Sequence, residues 1–101
     1  MRMNADFGDR ELDLFISECI MEQLPVLSYT SNISHTWQLV EKMMGKYFCE
    51  LKLDVFLGVS GPLWVASFYS PMRGKRFEAK GRTASLAICK AAREAHLKLV
   101  G

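Results

Sequence analysis

The chain of 101 residues lacks any hydrophobic run close to the ~18 residues that a membrane-spanning helix needs. Its first residues, MRMNADFGD, also lack the apolar segment of a secretory signal peptide. Repeats, low-complexity stretches and long linkers are absent as well, so nothing indicates a boundary between domains. We therefore expect a cytoplasmic protein that folds as one domain over residues 1–101 around a single modest core.

Cysteine is scarce, and the three cysteines are widely spaced at Cys19, Cys49 and Cys89. They form no C-x-x-C pair, and no histidine stands at metal-ligand spacing from them, which argues against a disulfide scaffold and against a zinc site. Each lies on or beside an apolar stripe. We therefore expect small buried hydrophobic side chains rather than reactive thiols, and we predict no metal and no cofactor.

Complete catalytic motifs are absent too: the chain has no G-x-S-x-G elbow, no glycine-rich phosphate loop and no H-E-x-x-H helix. Ser34 and His35 are the nearest approach to a nucleophile and base, but neighbours on a helix point to different sides. His96 falls in the last turn of a predicted helix, where the helix dipole favours an imidazolium. The sequence therefore predicts a protein that is not an enzyme.

Net charge is only +2, but the charges are unevenly distributed. Residues 1–25 contain two basic and six acidic side chains, a balance of −4, whereas residues 71–101 contain eight basic and two acidic ones, a balance of +6. Such ends can attract each other within one chain, pair between copies, or steer a charged partner.

Helical periodicity marks both ends of the chain. The first helix is predicted to begin at the N-cap Asp9 and to stop at Pro25, and the last is predicted to be capped by Thr83 after Gly81 has ended a strand. The first apolar face comprises Leu12, Phe15, Ile16, Cys19, Ile20 and Leu24. The last comprises Ala84, Ala87, Ile88, Ala91, Ala92, Ala95 and Leu99. Because these side chains are mostly small, we expect the last helix to lie flat across a sheet.

The segment SYTSNISHTW, residues 28–37, has the composition of a helix N-terminus, with Ser31 or Asn32 as the cap. A second helix is predicted over residues 32–44, with Gly45 as a C-cap. Its inward positions are predicted to be Ile33, Trp37, Val40 and Met44, with Leu39 and Met43 as further candidates. Tyr29 and His35, if exposed beside the cap, are candidates for a partner-binding surface.

Between these helices the period changes from helical to alternating. Residues 49–57, 63–70 and 75–80 are predicted to be strands, separated by turn signals over residues 58–62 and 71–74. The first strand alternates, with Cys49, Leu51, Leu53, Val55 and Leu57 on the buried side. The fold class is therefore α+β: a three-stranded antiparallel meander flanked by helices, in the order α-α-β-β-β-α, as a single compact domain.

This order is also similar to that of double-stranded RNA-binding domains, whose last helix carries lysines that contact phosphates. When Ala91 and Ala92 are aligned with the alanine pair of that helix, the lysine positions are occupied by Ala84, Ser85 and Ile88. The fold is similar, but the phosphate contacts are missing.

Three stretches resemble the phage ABA sandwich domain family. Residues 28–42 resemble its Y-S-T-D-I-x-x-A-W-x-V-V-E-K segment, residues 83–92 its closing T-A-P-L-A-I-C-R-A-A helix, and residues 64–68 its central W-x-A-x-F strand. The resemblance spans most of residues 9–97 and departs from the family at Asn32, Ser85, the acidic N-terminal extension and the basic hairpin at Arg73–Arg76. It implies a small phage or prophage protein with a sheet packed on helices, and no activity, cofactor or catalytic residue.

We interpret the chain as a small non-enzymatic binding protein in the host cell, an anti-CRISPR-like inhibitor of a host defence system acting by protein–protein contact. A nucleic-acid-binding module is the alternative, because Phe68, Tyr69 and Phe77 are interleaved with basic residues, as a stacking surface would require. A third possibility is self-assembly, for instance a homodimer, in which oppositely charged ends pair. The predicted partner-binding residues are Arg73, Lys75, Arg76, Lys80, Arg82, Tyr29 and His35.

Overall fold

The computed structural model describes residues 9–100. Arg2 and Asp6, which enter the N-terminal charge balance, lie outside these residues, as does most of the segment assessed for a signal peptide. The elements, in order, are α1 (Arg10–Phe15), a π-helical segment (Ile16–Met21), α2 (Ile33–Tyr47), β1 (Glu50–Gly58), β2 (Gly61–Ser70), β3 (Lys75–Gly81) and α3 (Ala84–Val100). The strands form one antiparallel sheet in the order β1-β2-β3, which confirms the predicted α+β architecture.

The two faces of the sheet differ because successive side chains of a strand point to opposite sides. On one face, Ala66 and Phe68 of β2 and Phe77 of β3 belong to the buried core, together with the apolar side of α3. The other face, here called the open face, carries Tyr69, Ser67 and Val65 at its centre. Flanking them in the neighbouring strands are charged residues: Glu50, Lys52 and Asp54 on β1, and Arg76, Glu78 and Lys80 on β3.

The last helix packs closely on the sheet, as its alanine stripe predicts. Thr83 caps α3 by accepting a hydrogen bond from the amide of Leu86 at 3.1 Å. At the end of β3, a Cβ on Gly81 would lie 2.8 Å from the amide nitrogen of Ala87. Glycine is therefore required at this position so that the backbone of β3 can contact the backbone of α3. The fully buried residues of the helix are Ala87, Ile88, Cys89, Ala91, Ala92 and Ala95.

Buried hydrogen bonds connect α2 and α3 through the backbone of Tyr29. The carbonyl oxygen of Tyr29 accepts from the hydroxyl of Thr36 at 2.6 Å and from the thiol of Cys89 at 3.2 Å. The Thr36 hydroxyl also lies 2.8 Å from that of Ser85, in α3. Because these polar groups satisfy one another, they can be buried at little cost.

The first helix is tied to the same loop. Asp13 is almost fully buried, and its carboxylate accepts from the amide of Thr30 at 2.8 Å while Arg10 approaches it to 3.5 Å. The predicted N-cap is confirmed, because Asp9 accepts from the amide of Leu12 at 3.1 Å.

Two predictions about α2 are wrong. Asn32 caps it as expected, accepting from Ser34 and His35 amides at 2.9 and 3.3 Å, but Ile33, Trp37 and Met44 are about half exposed. Val40 is buried as predicted, as are the further candidates Leu39 and Met43, and Thr36 completes the buried stripe. Gly45 does not end the helix either: α2 continues to Tyr47, and Phe48, with φ of 56°, is the left-handed residue that terminates it. In this orientation the Thr36 hydroxyl reaches its partners at Tyr29 and Ser85.

Two further boundaries differ from prediction. The π-helical segment ends at Met21, where Glu22 takes the left-handed conformation, so Leu24 lies beyond the helix and is exposed. In β1 the predicted inward residues Val55 and Leu57 are exposed as well. The sheet register explains Leu57: β3 pairs with β2 only as far as Trp64, the partner of Val55, so residues 56–63 project beyond it. Val55 lies in the last three-stranded row, opposite Trp64 and, across it, Gly81, which has no side chain. None of the helices within residues 9–100 is long and apolar enough to cross a membrane.

Two glycines provide a matched test of the contact between α3 and the sheet. Gly81→Ala should lower the free energy of unfolding by about 1–3 kcal/mol, because the new methyl group collides with the backbone of α3. Gly45→Ala should raise it by about 0.5–1 kcal/mol, because a Cβ there meets nothing within 4 Å and alanine favours a helix interior. Urea unfolding measures both values. Equal effects of the two substitutions would contradict the close contact.

Candidate functional site

A groove of about 590 Å³ lies between β3 and α3, on the side of the molecule rich in basic residues. We call it the cationic groove. Its lining residues include five cationic and two acidic ones, but Arg76 and Glu78 turn their side chains to the open face. Four cations, Lys75, Lys90, Arg93 and Lys98, and the carboxylate of Glu94 remain, so the charge of the groove is positive. Its lining consists of Lys75, Arg76, Phe77, Glu78 and Ala79 from β3 and Lys90, Arg93, Glu94 and Lys98 from α3.

The predicted partner-binding residues of the hairpin divide between several places. Lys75 and Arg76 line the groove. Arg73 instead reaches the end of α3, where its guanidinium donates to the carbonyl of Leu99 at 3.3 Å and neutralises the negative end of the helix dipole. Lys80 lies on the open face, and Arg82 lies beyond the end of β3, outside the groove lining. All five hairpin cations are exposed, but only two of them belong to the groove.

The contribution of α3 was missed by the sequence prediction. Lys90, Arg93 and Lys98 form a stripe along the helix on the side that faces the groove. Their i, i+3 and i+8 spacing beside the alanine stripe was the available signal. The ion pair between Lys98 and Glu94, at 3.8 Å and largely exposed, adds little stability and leaves most of the positive charge unpaired.

The open face is electrically balanced, unlike the groove. Across β2, each row of three residues joins opposite charges: Glu50 and Arg76 flank Tyr69, Lys52 and Glu78 flank Ser67, and Asp54 and Lys80 flank Val65. Arg76 also donates to the Ser67 hydroxyl at 3.0 Å and covers the Tyr69 ring at 5.1 Å. This alternation leaves no uniform positive surface for a phosphate backbone.

The aromatic residues of the hairpin do not form a stacking surface. Phe68 is fully buried and Phe77 is 8% exposed, so both belong to the core. Tyr69 lies on the open face, where the guanidinium of Arg76 covers it. The predicted interleaved surface of basic and aromatic residues therefore does not exist on one side of the sheet.

The two candidates from the α2 entrance have structural roles. Tyr29 is 0% exposed, so its predicted place on a partner-binding surface is wrong, and burial raises the pKa of its phenol. His35 is half-buried, and its Nδ1 accepts from the amide of Ser28 at 3.2 Å. The segment is a helix entrance whose side chains hold the preceding loop in place.

The remaining reactive groups are also enclosed. Cys49 and Cys89 are buried, and burial raises the pKa of both thiols, so neither is a nucleophile at neutral pH. Cys19 is half-buried. Within residues 9–100 no three His, Cys, Asp or Glu side chains lie close enough to hold a metal ion.

The expectation for His96 is wrong. The ring contacts Phe15 and Tyr47 edge-on, and its Nδ1 is hydrogen-bonded to the hydroxyl of Tyr47. Burial, and then the positive charge of Lys46, lower the pKa of His96 below its ordinary value of 6.5. Packing against other helices therefore outweighs the dipole of α3, and the neutral imidazole is favoured.

A second surface feature is apolar. The β1–β2 hairpin projects beyond β3, and its exposed hydrophobic residues are Val55, Phe56, Leu57, Val59 and Leu63. No charged residue occurs from Val55 to Met72, a signal that was available in the sequence. Contiguous exposed apolar surface of this kind is typical of an interaction site.

The architecture and the motifs together define the class of protein. The profile of the Phage ABA sandwich domain family matches residues 5–93, which is most of the chain, and the chain belongs to that family of phage proteins. The crystal structure of a phage protein from Bacillus cereus ATCC 14579 is similar, with a TM-score of 0.71 and 23% sequence identity over 94% of this chain and 97% of that chain. At this identity the likeness shows the fold alone. A comparison with curated proteins finds no match.

The phenol of Tyr29 offers a test of its structural role. Its oxygen is buried and has no hydrogen-bond partner among residues 9–100. Tyr29→Phe should therefore leave the free energy of unfolding unchanged or raise it by up to about 1 kcal/mol, because an unsatisfied polar atom is removed. Thermal unfolding measures the change. A loss of more than about 1 kcal/mol would show that the hydroxyl has a partner.

The environment of His96 predicts a pH dependence. Because its pKa is lowered on folding, the unfolded chain binds the proton more readily. Its contribution to stability is complete above pH 6.5 and declines as the pH falls from 6.5 towards the lowered pKa. His96→Gln should flatten the free energy of unfolding over this interval, measured by urea unfolding at several pH values. An unchanged slope would contradict the assignment.

Proposed function

We propose that the chain is a non-enzymatic phage or prophage protein that acts in the host cytoplasm by binding a host protein, and that this contact inhibits a host defence system. The cationic groove is the observation that carries the proposal. Lys75, Lys90, Arg93 and Lys98 line a concave surface in which only the carboxylate of Glu94 competes with an acidic partner. Phe77 and Ala79 supply apolar contact area at its floor.

The geometry of the groove favours an extended acidic segment. β3 is an edge strand that pairs with β2 on one side, and within residues 9–100 no strand pairs with its other side. A segment of a partner can add to such an edge through main-chain hydrogen bonds, while neighbouring side chains provide specificity. The cations of α3 lie where acidic side chains of the added strand would point.

Family membership supports the phage origin of this function. Inhibition of defence rests on a general argument: a small protein without catalytic machinery acts by occupying a surface of its partner. Arg73 and Lys80, which lie outside the groove lining, would affect the rate of association more than the lifetime of the complex.

Nucleic acid is the alternative partner. The cations of the groove favour it, whereas the balanced open face and the buried Phe68 and Phe77 do not. If nucleic acid is the partner, the affinity of the chain for DNA or RNA should fall steeply with salt concentration. Binding should be lost when Arg73, Lys75 and Arg76 are neutralised. A gel shift at low salt measures this, and positive binding there would replace the host-protein proposal.

Charge reversal in the groove tests the proposed contact. In a nuclease-treated pull-down from host lysate, the wild-type chain should capture one discrete protein. Lys75→Glu from β3 and Arg93→Glu from α3 should each weaken capture at least about tenfold, because they place a carboxylate against an acidic partner.

Lys42→Glu is the matched control, since it changes charge by the same amount on the exposed side of α2, away from the groove. It should retain full capture. A pull-down that captures no host protein, or a partner that binds all three variants equally well, would overturn the proposal.

A further inference from the structure

The outer edge of β1 is open and differs chemically from the edge of β3. β1 runs from Glu50 to Gly58 at one side of the sheet, and within residues 9–100 no strand pairs with its outer edge. Natural edge strands are usually protected by charged residues, proline or bulges. Both edge strands carry charged residues on the open face, and β3 carries Lys75 on the helix side as well. The helix-side positions of β1, by contrast, are all apolar: Leu51, Leu53, Val55 and Leu57.

Exposed apolar side chains continue along this edge. Leu57 is 90% exposed at one end of β1, and Phe48 is 64% exposed just before the other end. Phe48 has a left-handed backbone, with φ of 56°, where glycine or asparagine is normally preferred. A large apolar residue at an exposed and conformationally unfavourable position indicates that its side chain has a use.

We propose that two copies of the chain associate through β1, which pairs antiparallel with β1 of the second copy about a two-fold axis at Leu53. The main-chain groups of the open edge are then paired, and the sheet continues from one copy into the other. This surface is separate from the cationic groove, which lies at the opposite edge of the sheet.

The charges of β1 favour this register. An axis at Leu51 would also join opposite charges, Glu50 and Lys52, but it would leave Val55 and Leu57 beyond the paired residues. In a two-fold pairing, an axis at Lys52 or at Asp54 places that residue opposite its own copy, and like charges directly opposite are destabilising. An axis at Leu53 instead places Lys52 of each copy opposite Asp54 of the other. The two residues already form an ion pair within one chain, at 3.8 Å, so the dimer closes a ring of alternating charges.

The apolar residues favour the same register. An axis at Leu53 brings Leu51 of each copy opposite Val55 of the other. It also places Leu57 of each copy opposite Cys49 of the other, next to Phe48. An axis at Val55 would also cover apolar surface, but it would place Lys52 opposite Gly58 and Asp54 opposite Phe56, leaving both charges without a partner across the interface. An axis at Leu53 leaves only Glu50, opposite Phe56, without one.

Charge exchange tests the register as well as the association. Sedimentation equilibrium should give the wild-type chain a mass of twice 11.5 kDa. Lys52→Asp or Asp54→Lys alone should raise the dissociation constant at least about tenfold, because each places like charges opposite one another twice. The double variant should restore wild-type affinity. Both side chains are exposed, so the fold should persist, which circular dichroism verifies.

Glu78→Lys and Lys80→Asp, which make the same charge changes on β3, are the matched controls and should leave the dimer intact. Phe48→Gly should weaken it without lowering the melting temperature. A wild-type monomer, or a double variant as weak as the single ones, would overturn the proposal. A dimer that dissociates in high salt, and whose dissociation constant these substitutions do not change, would also overturn it, because that behaviour is expected for pairing of oppositely charged ends. Monomeric variants should still capture the host protein, so the two proposals fail independently.

Discussion

The close packing of α3 on the sheet is the constraint on which the structure depends. The alanine side of the helix allows its backbone to approach β3 so closely that Gly81 has no room for a Cβ. Because α3 then lies at the centre of the molecule, it can also receive the helices on its other side, through Ser85 and Cys89. The same approach places the basic stripe of α3 beside the edge of β3, so a packing requirement of the core creates the cationic groove.

The sequence predicts the elements well because their patterns are local. The alternation of β1, the caps Asp9, Asn32 and Thr83, and the alanine stripe of α3 all depend on neighbours in the chain. The side that each helix turns towards the core is less predictable. The apolar residues of α2 lie on more than one side of the helix, and their pattern does not decide between Ile33 and Trp37 on one side and Leu39 and Met43 on the other. The buried side also contains Thr36, whose hydroxyl has partners in two other segments.

The candidate site was predicted only in part, for a related reason. A run of basic residues such as 73–82 does not reveal which side of a strand each residue occupies, nor which residues of a distant helix join it. The register of the sheet decides this. It assigns Lys80 to a balanced surface, Lys75 to a positive one, and Phe68 and Phe77 to the core. Conversely, Leu57 is exposed because β3 is shorter than the hairpin beside it, which no local pattern expresses.

The unlike edges of the sheet also limit how far it can grow. When two copies pair through β1, the strands left at the outer ends are both β3, with Lys75 and Arg76 at their borders and the positive stripe of α3 alongside. Two such ends repel one another. In the proposed dimer, extension would therefore stop after a single step, and an exposed apolar edge that would otherwise template a fibre would give a closed particle of defined size.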